Sequence, residues 1–189
     1  FKQTGYDVRK FIAAWDIESE SWSSLGSGTD SGINSIIIGD DGALYAAGSF
    51  ETAGGILADR VARWNIAAQS WEALAGGTGN PHGVGDQVYT ICDYGDGSVY
   101  LGGYFISAGE KVCNHIARYD SAKGTWSDMD GGADGVVYKI INDGNGGLYV
   151  GGWFETIGGV QCNSIARWDI SSQEFSPLGT GTEDDTFVS

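Results

Sequence analysis

VYLGGYF at 99–105, IARYD at 116–120 and Trp126 form one phrase of this chain, and the phrase recurs. LYAAGSF at 44–50 and LYVGGWF at 148–154 repeat its first part, and Phe1 stands where Phe50, Phe105 and Phe154 stand. IAAWD at 12–16, VARWN at 61–65 and IARWD at 165–169 repeat its second part. The aromatic of that second part, at Trp15, Trp64, Tyr119 and Trp168, is spaced by 49, 55 and 49 residues. Self-similarity at such a period marks a repeat architecture, so the unit decides the fold before any local motif does.

Each unit reads as four short strands. In the unit from Ile33, INSIII at 33–38 is an apolar run. GDDGA at 39–43 is a hairpin turn, because Asp-Gly supplies the positive φ that a tight turn needs. The second strand covers 43–50, a loop with a Gly pair covers 51–58, the third strand covers 59–64 and the fourth 71–74. The pattern restarts at Val88 and at Val137. Four antiparallel strands per 40–50 residues predict a β-propeller blade, and blades packed face to face account for apolar residues on both sides of the strands. The expected organisation is a single all-β propeller domain or propeller segment over 1–189. It holds a partial blade at 1–25, full blades at 33–75, 87–130 and 136–179, and the start of a further strand at 186–189. That gives about four blades, closed as a small ring or continued in a larger propeller.

The details of the unit resemble the kelch repeat. An apolar strand, an aromatic-x-Gly-Gly strand, an aromatic-Asp pair and a second aromatic seven residues on all appear. The aromatic pairs are Trp15/Trp22, Trp64/Trp71, Tyr119/Trp126 and Trp168/Phe175, and the Gly pairs are Gly102-Gly103 and Gly151-Gly152, with Ala47-Gly48 in the first unit. The likeness covers essentially the whole chain and is stronger to secreted, Gly-rich kelch-like propellers, the type of the galactose-oxidase central domain, than to intracellular adaptors. It departs in short first strands and in extra glycines at Gly54-Gly55 and Gly158-Gly159. The resemblance implies a binding platform, with an enzyme as the rarer outcome.

Composition narrows the function. The net charge is −15 and the pI near 4.2, which disfavours nucleic acid and anionic membranes as partners. No apolar run is long enough to cross a bilayer as a helix. The chain does not begin with Met, as expected of a mature product or a piece of a longer chain. Cys92, Cys113 and Cys162 read as small buried apolar residues, with a Cys92–Cys113 bridge as the alternative.

In such blades the strand 2–3 and 4–1 connections leave from one face. The longest connections lie there, at 51–58, 106–112 and 155–161, as does a six-residue insertion within GTGNPHGVGD at 77–86. Loops on a rigid scaffold carry function, so this face is the expected binding surface, with Asn80, His82 and Asp86 as candidates from the insertion. Tyr104 and Trp153 occupy a position where the first unit has Ser49. Exposed flat aromatics there suit sugar or peptide contact, and packing against an adjacent loop is the plainer alternative. On the opposite face DYGDG at 93–97 and NDGNG at 142–146 offer oxygen ligands to calcium through Asp93, Asp96, Asp143 and Asn145, although hairpin turns account for the same residues. Arg63, Arg118 and Arg167 recur before the strand-three aromatic and are expected to pair with carboxylates or carbonyls. His115 replaces Arg60 and Ser164 and reads as tolerated variation.

No Ser/His/Asp order, GxSxG, HExxH or P-loop is present, and the two His residues do not form a copper-ligating pair. The expected function is a non-catalytic extracellular or cell-surface module that contacts a protein or glycan. A structural subunit of a filament or surface layer, self-assembled as a homo-oligomer, is the first alternative. A glycan-active hydrolase or oxidase with a site at the propeller axis is the second. No cofactor is expected beyond calcium.

Overall fold

The computed structural model describes residues 11–74 and 83–182. Three four-stranded antiparallel sheets follow one another. The first is built of Ile33–Ile38, Leu44–Gly48, Val61–Asn65 and Ser70–Ala73, the second of Val88–Asp93, Ser98–Gly103, Ile116–Asp120 and Thr125–Ser127. The third comprises Val136–Asn142, Gly147–Trp153, Ile165–Asp169 and Glu174–Pro177. Each is a meander with strands in sequence order. A leading two-stranded piece pairs Ala13–Asp16 with Ser21–Ser24. Among the described residues there is no helix. The chain is thus an all-β segment of a β-propeller, and the sheets are its first, second and third blades.

The connections between second and third strands, expected as loops, are small hairpins instead: Thr52–Ala53 with Ile56–Leu57, Ser107–Ala108 with Lys111–Val112, and Thr156–Ile157 with Val160–Gln161. The Gly54-Gly55 and Gly158-Gly159 pairs all have positive φ, the backbone a two-residue hairpin turn requires. Each hairpin is bridged by the connector that enters its own blade, through Thr29–Ala53, Val84–Ala108 and Ala133–Ile157. The 4–1 connectors and the 2–3 hairpins therefore share one face.

Blades pack through opposite sides of their strands. The aromatic pair of the second blade, Tyr119 and Trp126, joins Tyr45 and Ala47 of the first blade in one apolar cluster. Trp168 and Phe175 of the third blade likewise meet Tyr100 and Ile116 of the second. The rings of each pair are tilted, with centroids 5.4, 4.8 and 4.6 Å apart in successive blades, the geometry in which aromatic quadrupoles attract. The leading pair, Trp15 and Trp22, is 47% and 48% exposed. Cys113 and Cys92 lie in different clusters, on opposite sides of the second blade, and all three cysteines are free. This overturns the Cys92–Cys113 alternative: facing apart, the two thiols cannot meet. Burial pushes both thiols up to about 11.

The second strand's Gly pair has two distinct reasons. A Cβ on Gly102 would collide with Val137 of the next blade, and one on Gly103 would collide with the Gln87 carbonyl just before its own blade's first strand. Neighbouring blades are also stitched backbone to backbone, with Val84 N–H donating to Asp59 O at 2.9 Å and Ala133 N–H to Asn114 O at 2.9 Å.

Candidate functional site

On the face of the 2–3 hairpins, a cleft of about 850 Å³ opens between the second and third blades. Its second-blade wall is Gly85, Asp86, Tyr104, Ile106, Ser107 and His115; its third-blade wall is Asp134, Gly135, Val136 and Trp153. Tyr104 and Trp153 each follow the Gly pair, Tyr104 just past the end of its strand and Trp153 as the last residue of its own. They are 56% and 76% exposed. Ile106, beside them, is also exposed.

The cleft thus brings together three of the five residues singled out as a binding surface: Tyr104, Trp153 and Asp86. Asp86 sits at the first strand's entry, where its Oδ1 accepts the Gln87 amide at 2.7 Å. Asn80 and His82 lie outside the described residues, as does the insertion up to that point.

Sequence reasoning missed His115. It lines the cleft with φ +64°, and its ring centroid lies 5.9 Å from that of Tyr104. Its Nδ1 is buried without a hydrogen-bond partner. The available signal was positional: Arg60, His115 and Ser164 vary at a site whose neighbours recur, as do Ser49, Tyr104 and Trp153. Asp134 was missed too. Its Oδ1 accepts the amides of Glu155 and Thr156 at 2.9 and 3.0 Å, and its Oδ2 accepts the Thr156 hydroxyl at 2.9 Å. It holds a hairpin in place.

The four calcium candidates are distributed over two turns of the opposite face. Asp93 Oδ1 accepts the Gly95 amide at 2.9 Å. Asp96 accepts the Ser98 amide, the Tyr100 hydroxyl and the Arg118 guanidinium at 3.1, 2.9 and 3.1 Å. Asp143 Oδ1 accepts the Asn145 and Gly147 amides, and its Oδ2 accepts Arg167 Nε at 2.8 Å. These amides and Arg167 hold its carboxyl below the usual range, against the burial that opposes them. The carbonyl of Asn145 accepts Arg167 at 3.1 Å. Among the described residues no group of three or more His, Cys, Asp or Glu side chains is placed to hold a metal ion.

The arginines belong to the same turns. Arg63 bonds Asp41 at 2.9 Å and Glu72 at 2.6 Å, and Arg118 bonds Asp96 at 3.1 Å. In the third blade Asn145 replaces the carboxylate, and Asp143, two residues earlier, takes over Arg167. The guanidiniums tie the strand 1–2 turn to the third strand.

A family model described as a domain of unknown function (DUF5122) β-propeller matches residues 95–125 and 144–168. No curated protein matches the chain. Among solved structures, the chain is similar to the extracellular domain of BT4673 from B. thetaiotaomicron, described as a one component system. The TM-score is 0.56 and the identity 18%, over 94% of this chain and 20% of that one. A second structure of a BT4673 extracellular domain, described as a hybrid two component system, matches at TM-score 0.49 and 16% identity, over 78% of this chain and 18% of that one. The chain spans about a fifth of the length of these structures, and at such identity the likeness concerns the fold.

Proposed function

We propose that this chain is a non-catalytic extracellular or cell-surface binding module of the kelch-like type, which contacts a protein or glycan partner through the cleft between the second and third blades. One observation carries the reading: Tyr104 and Trp153, from the same repeat position, stand exposed on one cleft, while Phe50, Phe105 and Phe154 next to that position are buried. Large apolar side chains exposed together at a concave site mark interaction surfaces, and aromatics bind well because they offer rigid area at small entropic cost. The extracellular setting draws on the name of the structural neighbour, an extracellular domain. Binding rather than chemistry fits the state of Asp134, whose oxygens are occupied by hairpin donors.

A glycan array and a peptide array, probed with the 189-residue chain and with Trp153→Ala, test this. The expected result is a set of hits that the variant loses. Hits kept in full by the variant would refute this cleft as the contact surface.

A further inference from the structure

The 2–3 hairpin is fastened in the same way in the first and third blades, but differently in the second. In the first blade Asp30 Oδ1 accepts the amides of Glu51 and Thr52 at 2.9 and 3.0 Å. In the third, Asp134 accepts those of Glu155 and Thr156, together with the Thr156 hydroxyl. The backbone register identifies the counterpart in the second blade. Asp30 N–H donates to Thr52 O, Asp134 N–H to Thr156 O, and Gly85 N–H to Ser107 O, at 3.1, 3.1 and 2.9 Å. Gly85 therefore stands where the other blades have the fastening carboxylate. The amides it leaves unserved are those of Ile106 and Ser107. Among the described residues no side chain accepts from them.

The donors are otherwise intact. Ser107 carries a hydroxyl where Thr156 carries the one that bonds Asp134. A Cβ placed on Gly85 would meet the Ser107 hydroxyl, so that hydroxyl has turned into the space the missing side chain vacates. Two adjacent amides and a hydroxyl, which hold a carboxylate in the third blade, thus line the binding cleft beside Tyr104 and Trp153. A second observation points the same way: His115 Nδ1, in the wall of the same cleft, is buried without a partner. Unpaired polar atoms buried in a concave site are costly unless a ligand or water completes them.

We propose that this cleft binds a ring-bearing organic carboxylate. Its carboxylate takes the place that Asp30 and Asp134 fill in their own blades, accepting from the Ile106 and Ser107 amides and the Ser107 hydroxyl, and its ring lies against Tyr104 and Trp153. The proposal rests on the cleft being the binding surface. The chain's charge of −15 opposes any anion at long range. That field is screened beyond about 8 Å at physiological salt, whereas the donors act at contact. Affinity should consequently rise, not fall, as salt is added from low ionic strength.

The ring has two sources, a sugar acid or an aromatic acid, so the experiment has two arms. Tryptophan fluorescence is titrated with trigalacturonate and with phenylacetate, each beside its uncharged counterpart, galactotriose and phenylacetamide. One acid should bind at least about tenfold tighter than its counterpart, the discrimination expected of one hydrogen bond to a charged acceptor. Gly85→Asp installs the repeat's own carboxylate. The backbone at Gly85 is outside the left-handed region, and the Ser107 hydroxyl can turn to donate, so the variant should melt higher than the parent while losing the acid. Ser107→Ala should weaken the acid several-fold. Silence of both acids, equal binding of acid and counterpart, or a Gly85→Asp variant that folds and binds undiminished would each overturn the proposal. Equal binding abolished by Trp153→Ala would do so while sustaining the cleft as a binding surface.

Discussion

Trp71 and Trp126 occupy the same place in successive blades, and substituting each by Phe isolates one hydrogen bond. Both are nearly fully buried, at 6% and 3% exposure, and both lie tilted on the aromatic across the strand pair. Phe175 fills the same place in the third blade, so a phenyl ring is compatible with it. The two substitutions remove the same atoms, and their cavity costs cancel to first order. What differs is the indole N–H. Trp71 Nε1 donates to Leu25 O at 2.8 Å, whereas Trp126 Nε1 is buried without a partner. Trp71→Phe loses a bond worth about 1 kcal/mol, while Trp126→Phe removes an orphan donor whose burial costs about 1–3 kcal/mol. Trp71→Phe should therefore be the less stable variant by about 2–4 kcal/mol. At about 2–4 °C per kcal/mol for a chain of this size, that is about 4–16 °C in melting temperature. Equilibrium urea unfolding with equal slopes, alongside thermal melts, measures the difference. Equal midpoints, or Trp126→Phe as the weaker variant, would refute the assignment of the orphan donor.

Two further outcomes follow from particular contacts. Asp41 is raised by burial but lowered more by the Ala43 amide, the Tyr45 hydroxyl and Arg63, so its folded value lies below the ordinary 3.8. Asp30 is likewise net lowered by the Thr52 and Glu51 amides against burial. A depressed carboxylate contributes stability above its unfolded value and loses it as pH falls through the folded one. Melting temperature should decline from about pH 4 downward, and less steeply in Asp41→Asn; an unchanged slope would count against the Arg63–Asp41 bond. Gly103→Ala should cost about 2 kcal/mol or more, because the new Cβ meets the Gln87 carbonyl and lies 2.9 Å from Val88 Cα, all backbone. Gly32→Ala, with open space around it, should stay within about 0.5 kcal/mol, and parity of the two melts would sink the close-approach argument.

Much of the fold was legible because a repeat states its own architecture. Strand alternation, Asp-Gly turns and the aromatic pairs act over a few residues, and four copies confirm each other. The strand 3–4 turns behave as local chemistry dictates: Asp16, Asn65, Asp120 and Asp169 each accept an amide two or three residues on. The 2–3 connections were misread as loops because two-residue strands have too few side chains to show a period. Their pairing is held by positive-φ glycines and by Asp30 and Asp134, which lie about 20 residues upstream of the amides they hold.

By itself the sequence determined the blade, its strand order and its 1–2 and 3–4 turns, since these depend on neighbours within one unit. It also marked Tyr104 and Trp153 as departures from the repeat. Tertiary structure alone decided what those departures make. Packing the second blade on the third brings Tyr104, Trp153, Asp86 and His115 to one cleft, although they are separated by up to 67 residues. It also showed that Gly85 stands in register with Asp30 and Asp134. A missing side chain leaves no motif in a sequence. It becomes visible only when the donors it would have served are seen side by side in three blades.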